Sequence, residues 1–160
     1  MRTAAISREG ELTTAAGPDR SARSRAPVLD RIVGQARVRA VLGSFVTSPV
    51  HAFLFVGPPG SGKREAARVF SAALVCPNGG CGECPSCRDV IAGRHPDVVF
   101  VERHGASILV DEAREVTQLA QRTPRLASRQ VLVLTDFHLV DRAAPALLKT
   151  IEEPPATTVI

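Results

Sequence analysis

The apolar positions of this chain change their period several times, and each change marks an element. Val38, Val41, Leu42 and Phe45 recur at three- and four-residue intervals, which places them on one face of a helix. Ala52 to Val56 (AFLFV) is instead a continuous apolar run that stops at Gly57, the pattern of a buried parallel strand. Ala66, Val69, Phe70, Ala73 and Leu74 return to helical spacing. A second strand is expected over Val98 to Val101, and Asp111 is placed to N-cap a helix with Ala113, Val116 and Ala120 inward, ended near Pro124. Val131 to Leu134 reads as a third strand. Ala144, Leu147, Leu148 and Ile151 stripe a last helix that Pro154 and Pro155 terminate, and Thr158 to Ile160 begins a further strand. Strands alternating with helices predict an α/β fold with a parallel sheet. The chain has no internal repeat.

Structure is expected to begin near Val28, giving one domain over 28–160. Residues 1–27 are rich in Arg, Ser, Ala and Thr without sustained apolar periodicity, and read as a disordered basic arm. A translation start set too far upstream explains the same segment. A targeting peptide is a third reading, opposed by Glu9, Glu11 and Asp19.

Between the AFLFV run and the following helix lies Gly57-Pro58-Pro59-Gly60-Ser61-Gly62-Lys63, which satisfies the G-x-x-x-x-G-K core of a phosphate-binding loop. Glycines there let successive backbone N–H groups curl round an anion, the helix start adds its positive dipole end, and Lys63 supplies a point charge. The loop also has the strand before it and the helix after it that such a motif requires, which a chance glycine-proline turn would not need. The next position is anomalous. A hydrolytic loop places Ser or Thr there to ligate Mg²⁺, and this chain has Arg64, which cannot ligate a cation. Phosphate binding is expected to persist with metal-assisted hydrolysis impaired or lost.

A hydrolytic partner strand would end in Asp-Glu. Here the VLVL run leads into Thr135-Asp136-Phe137. With Thr135 in the first acidic position, Asp136 fills the second with a shorter side chain; with Asp136 first, Phe137 leaves no base. Neither register supplies the full pair, and Asp136 as the start of a turn is an equal alternative.

Cys76, Cys81, Cys84 and Cys87 follow the spacing C-x4-C-x2-C-x2-C. So dense a set in a reducing compartment reads as a structural tetrahedral Zn²⁺ site rather than disulfides, and Gly79, Gly80 and Gly82 supply the tight turns. Four reduced cysteines in a loop is the bland alternative. His95 is a substitute ligand in principle, but beside Pro96 it reads as a loop residue; His51, His104 and His138 have no partner pattern.

Composition narrows the classes. At 160 residues the chain supports one domain with a real core. No apolar run is long enough to cross a bilayer, and the chain reads as cytoplasmic with no membrane partner. The net charge of +4 is consistent with a nucleic-acid neighbourhood, but diffuse arginine and the absence of Trp and Tyr give no stacking platform, so a solvated surface is the simpler meaning. Lysine occurs only at Lys63 and Lys149, and both fall inside motifs.

From about Asp30 to Ile160 these elements resemble the clamp-loader AAA+ ATPases of bacterial DNA polymerase III, the delta-prime and tau/gamma group. The resemblance is carried by Ile32-Val33-Gly34-Gln35, by His51-Ala52-Phe53-Leu54-Phe55 entering the P-loop, and by the cysteines inserted after the P-loop helix. His95-Pro96-Asp97, Val110-Asp111 and Leu147-Leu148-Lys149-Thr150-Ile151-Glu152-Glu153-Pro154-Pro155 complete it. The last string with the zinc insertion is specific to this group, although the spacing before the second cysteine is shorter than in many relatives.

The resemblance implies a P-loop NTPase sheet with strand order 5-1-4-3-2, a zinc module at 76–87, and Val33 near the adenine side of an ATP or ADP pocket formed with Gly57 to Arg64. Arg64 and Thr135-Asp136 match the delta-prime branch, whose nucleotide site is commonly degenerate. That branch acts as a stator and lends an arginine finger to a neighbouring motor subunit. The partners implied are tau/gamma and delta subunits and, through the complex, the sliding clamp and primed DNA. The chain would then be part of a DNA-directed DNA polymerase holoenzyme, a nucleotidyltransferase, with its own ATP hydrolysis weak or absent. The retained Gly57 to Lys63 core departs from strongly degenerate members and keeps nucleotide binding open. Thr158 to Ile160 would begin strand four, between the P-loop strand and the acidic strand. An incomplete sheet with two unpaired edges is therefore expected, with the sensor strand, helical lid and Ser-Arg-Cys segment beyond residue 160, as in a truncated product not fully functional alone. An active tau/gamma-type ATPase and a nonfunctional remnant are the competing readings.

Overall fold

The computed structural model describes residues 3–6, 26–102, 110–135 and 144–160. The strands are β1 (Thr3–Ile6), β2 (Ala52–Phe55), β3 (Val98–Val101), β4 (Gln130–Leu134) and β5 (Thr158–Val159). The helices are α1 (Ala36–Ser44), α2 (Lys63–Val75), α3 (Pro85–Ile91), α4 (Val110–Ala120) and α5 (Ala144–Glu152), preceded by a 3-10 turn at Pro27–Arg31.

All pairings are parallel: β1 with β2, β3 with β4, and β4 with β5. Ile160 joins the two groups, donating its N–H to His51 O (3.0 Å) and accepting from Phe53 N at 2.7 Å. The resulting order is β1-β2-β5-β4-β3. The short run Thr158–Ile160 thus pairs on both sides, with Gln130 and Val131 of β4 on one flank and the start of β2 on the other. Where two unpaired edges were expected mid-sheet, these residues bridge them.

Period-two alternation divides the strands between two faces. Val131, Val133, Phe53, Phe55, Val98 and Val159 point toward α2 and belong to the main core with Leu29, Leu42, Val69, Phe70 and Val90. Val101 and Leu134 point the other way, onto Ala113, Val116, Leu147 and Ile151 of α4 and α5. The stripe Ala66, Val69, Phe70, Ala73 and Leu74 is buried throughout. Phe70 receives Phe53 edge-on, with centroids 4.9 Å apart, and Phe53 in turn meets Phe45 at 5.3 Å. Such perpendicular ring pairs add about 0.5–1.5 kcal/mol each beyond the area they bury.

Two boundaries differ from the sequence reading. The arm expected to be disordered over 1–27 contains β1, registered Thr3 to Ala52 through Ile6 to Phe55. Ala26 is already fully buried, ahead of the expected start at Val28. A four-residue strand made of main-chain hydrogen bonds to an open edge leaves little trace in side-chain periodicity. Helix α4 starts at Val110, so Asp111 falls inside its first turn rather than at the N-cap; a shift of about two residues is within the ordinary spread of helix ends.

Gln130, a polar residue at the head of β4, fastens the second layer. Its Nε2 lies 2.8 Å from Ala120 O, 2.9 Å from Arg122 O and 2.8 Å from Thr158 Oγ1, which covers carbonyls left open at the end of α4. Thr117 and Thr150 hydroxyls meet at 3.2 Å between α4 and α5.

Candidate nucleotide site and candidate metal centre

Strand β2 delivers the chain to Gly57 at the carboxyl edge of the sheet, where open α/β sheets place their ligands. The turn is tight: a Cβ on Gly57 would stand 2.6 Å from Ser61 Oγ. Gly62 adopts φ +80°, a left-handed conformation that favours glycine, and its carbonyl accepts the first helical bond from Ala66 N at 2.8 Å. Helix α2 therefore starts at Lys63. Lys63 folds back over the loop, its Nζ donating to Pro58 O at 3.3 Å.

Beside the loop is a cavity of about 270 Å³, close to the lower end of the range for small-molecule sites. Val33, Gly57, Ser61, Gly62 and Lys63 all line it, so the cavity brings together residues far apart in sequence. Val33 is 86% exposed, an apolar side chain left on the cavity wall. Pro58, Pro59, Gly60 and Arg64 are not part of the lining. Arg31, Gln35 and Glu65 are, and none of them was named as a site residue from sequence.

Arg64 turns instead to the end of β3. Its Nη2 makes an ion pair with Glu102, and its guanidinium carbon lies 5.8 Å from the centre of the Phe100 ring. Arg68, one helical turn on, stacks on the same ring at 4.8 Å. Glu102 is the carboxylate that sequence reasoning missed, because the acid was sought after β4. The signal was present: Glu102 directly follows an apolar strand, at the same sheet edge as the loop. At the end of β4, the Thr135 hydroxyl donates to Val101 O at 3.1 Å and is occupied by the neighbouring strand. Asp136, Phe137, His104 and His138 lie outside the described residues.

The cysteines form a second centre between α2 and α3. All four Sγ atoms lie within 4.8 Å of one another, with Cys76–Cys81 at 3.7 Å and Cys76–Cys84 at 3.6 Å. Sulfurs about 2.3 Å from one tetrahedral ion would be about 3.8 Å apart, so the donor set fits a metal, and the separations are far too long for disulfides. All four are free thiols. Backbone N–H groups of Asn78, Cys84 and Cys87 point at the Sγ atoms of Cys76, Cys81 and Cys84, each at 3.4 Å. Backbone hydrogen bonds from Glu83 and Cys84 bring the Cys81 thiol down to about 6, so it is ready to ligate as thiolate. Burial pushes the Cys84 and Cys87 thiols up, and a bound cation would have to displace their protons. His95 is not among the ligands: it is buried, with Nδ1 accepting from Asp97 N at 3.1 Å.

The knuckle is seated on the core at Gly80. Its carbonyl accepts from Val28 N at 2.9 Å, and a Cβ there would stand 2.9 Å from Ala26 Cβ and 3.0 Å from Ala73 Cβ. Gly80 also has φ +91°, so both space and backbone require glycine.

Comparison with known proteins places this arrangement. DNA polymerase III subunit delta' of Pseudomonas aeruginosa is 39% identical over 117 residues, covering 69% of this chain and 36% of that protein. The Escherichia coli subunit delta' is 41% identical over 115 residues, 68% of this chain and 34% of its own length. The Bacillus subtilis DNA polymerase III subunit tau is 32% identical over 131 residues, covering 78% of this chain and 23% of that protein. The chain thus spans about a third of the length of the delta' relatives and less of tau. Among the described residues no helix is long and apolar enough to cross a membrane. A sequence model of the family described as DNA polymerase III, delta subunit, matches residues 46–160, and the chain belongs to that family.

Proposed function

We propose that this chain serves as a delta'-type clamp-loader subunit of the bacterial DNA polymerase III holoenzyme, helping to load the sliding clamp on primed DNA during replication. Its own site would bind ATP or ADP and hydrolyse it slowly or not at all. The observation that carries this reading is Arg64. The residue that follows the loop lysine offers no hydroxyl to a magnesium ion and is committed to Glu102. Gly57 to Lys63 meanwhile keeps the curl, the helix start and the lysine that phosphate binding needs. Zinc is the metal proposed for Cys76, Cys81, Cys84 and Cys87, since four thiolates at tetrahedral spacing close its coordination shell and leave a structural role. Tau/gamma and delta subunits are the proposed partners, with the clamp and DNA reached through the assembly.

The longer match to subunit tau favours one alternative, an active motor ATPase. Turnover decides between them. The purified chain should release phosphate from ATP at a rate indistinguishable from its Lys63→Ala variant, and should copurify with tau/gamma and delta when they are coexpressed. Sustained ADP production abolished by Lys63→Ala would establish the motor reading instead. Failure to copurify would remove the subunit role.

A further inference from the structure

We propose that the cysteine knuckle is a peroxide-sensitive switch, in which oxidation joins Cys76 to Cys81, expels the metal and loosens the wall of the cavity beside the glycine loop; this rests on the reading of the four cysteines as a zinc site. The sulfurs are not equally placed. Cys76 and Cys87 are buried, whereas Cys81 and Cys84 are half-buried, so an oxidant from solvent meets the second two first. Cys84 is held as the N-cap of α3, where its Sγ accepts from Cys87 N and Pro85 fixes the next step of the backbone. Cys81 belongs to no helix. Its Sγ lies 3.7 Å from that of Cys76, and a disulfide is about 2.05 Å long, so a closure of about 1.6 Å makes the bond.

The Cys81 thiolate attacks one oxygen of hydrogen peroxide; the O–O bond breaks, a sulfenic acid forms, and the departing hydroxide takes a proton from solvent. The Cys76 thiolate then attacks the Cys81 sulfur. The S–S bond forms, the S–O bond breaks, and a second hydroxide leaves and takes a second proton. The two sulfurs give up two electrons, and one peroxide accepts both and ends as two waters. Cys84 and Cys87 remain, half the donors that a closed tetrahedral shell requires.

The same closure acts on the cavity wall. Cys81 sits between two glycines that rest on Val28: Gly80 O accepts from Val28 N at 2.9 Å, and a Cβ on Gly82 would stand 3.6 Å from Val28 Cα. Cys76 is the C-cap of α2, whose last turns are buried, and so forms the fixed end. Drawing Cys81 toward it lifts the Gly80–Gly82 turn from Val28. Arg31, Ile32 and Val33, a few residues on, line the cavity.

The test treats the zinc-loaded 160-residue chain with an equimolar amount of hydrogen peroxide. Zinc release is followed with a chromogenic chelator, and thiols are mapped by alkylation with one reagent before reduction and a second reagent after it. Cys84 and Cys87 should carry the first label and Cys76 and Cys81 the second, with zinc released in proportion to the disulfide. The Val28 amide should exchange about tenfold faster while α4 and α5 are unchanged. Dithiothreitol with added zinc should reverse every change. A disulfide between another pair, zinc release without a disulfide, resistance to peroxide, or unaltered exchange at Val28 overturns the inference and leaves the zinc site standing. A chain that holds no zinc after purification from zinc-supplemented culture overturns the zinc site and the inference together.

Discussion

The Asp97 carboxylate accepts hydrogen bonds from three consecutive backbone N–H groups, Arg125 at 2.6 Å, Leu126 at 2.7 Å and Ala127 at 2.8 Å. It is buried, and burial alone would push its pKa up; the Arg125, Ala127 and Leu126 donors, with His95 nearby, outweigh that and hold the carboxyl below its usual range. The folded value therefore lies under the unfolded one, about 3.9. Stability from this group is complete above that unfolded value and drains away as pH falls through the folded pKa. Urea unfolding of the parent chain should show a falling free energy on the acid side of about pH 4, and Asp97→Asn should flatten that limb. Asp97→Ala should cost about 2–4 kcal/mol at neutral pH, since it takes the acceptor from three part-buried backbone donors at once. An unchanged acid limb in Asp97→Asn would assign the pH dependence to other carboxylates.

At the scale of elements, β1 is the least expected feature and the most exposed to test. It holds Ala52–Phe55 from the flank opposite Ile160, so β2 has neighbours on both sides just before the glycine loop. Deleting residues 1–6 should leave the β2 edge open. Hydrogen exchange at the β2 amides that pair with β1 should then quicken by about tenfold, while α4 and α5 stay protected. Equal exchange in the full and shortened chains would mean that β1 contributes nothing to the edge. The contrast with the other strands shows what a sequence reveals. β2, β3 and β4 were legible because each is a continuous apolar run, and α2 because its stripe has helical spacing. β1 depends on an open neighbouring edge, Gln130 on carbonyls at the end of α4, and the Arg64–Glu102 pair on the adjacency of α2 and β3. Those partners lie from 8 residues away, for Gln130 and Arg122, to 38 for the Arg64–Glu102 pair and further for β1, and no local period records them. The glycine loop and the cysteine cluster were legible for the opposite reason, since each packs its chemistry into a dozen residues or fewer.

Across the whole molecule, the two centres share one wall. The segment Ala26–Val33 lies between them: Ala26 and Val28 pack on the cysteine knuckle at Gly80, and Arg31, Ile32 and Val33 line the cavity beside the loop. Cys87 is fully buried, its Sγ 3.8 Å from Ala72 O of α2, so the knuckle also presses on the helix that the loop begins. A metal that orders the knuckle therefore braces the cavity wall without touching a ligand there. Removing it with a chelator should lower Tm by at least about 5 °C, given that domains of this size shift by about 2–4 °C per kcal/mol. Hydrogen exchange should then quicken over Pro27–Arg31, α3 and the end of α2, while β3, β4, α4 and α5, which close around Ala113, Val116 and Leu147, keep their protection. ATP affinity should fall in step and return when zinc is restored. If the chelated chain keeps its affinity and only residues 76–87 exchange faster, the knuckle is an appendage and the shared wall transmits nothing.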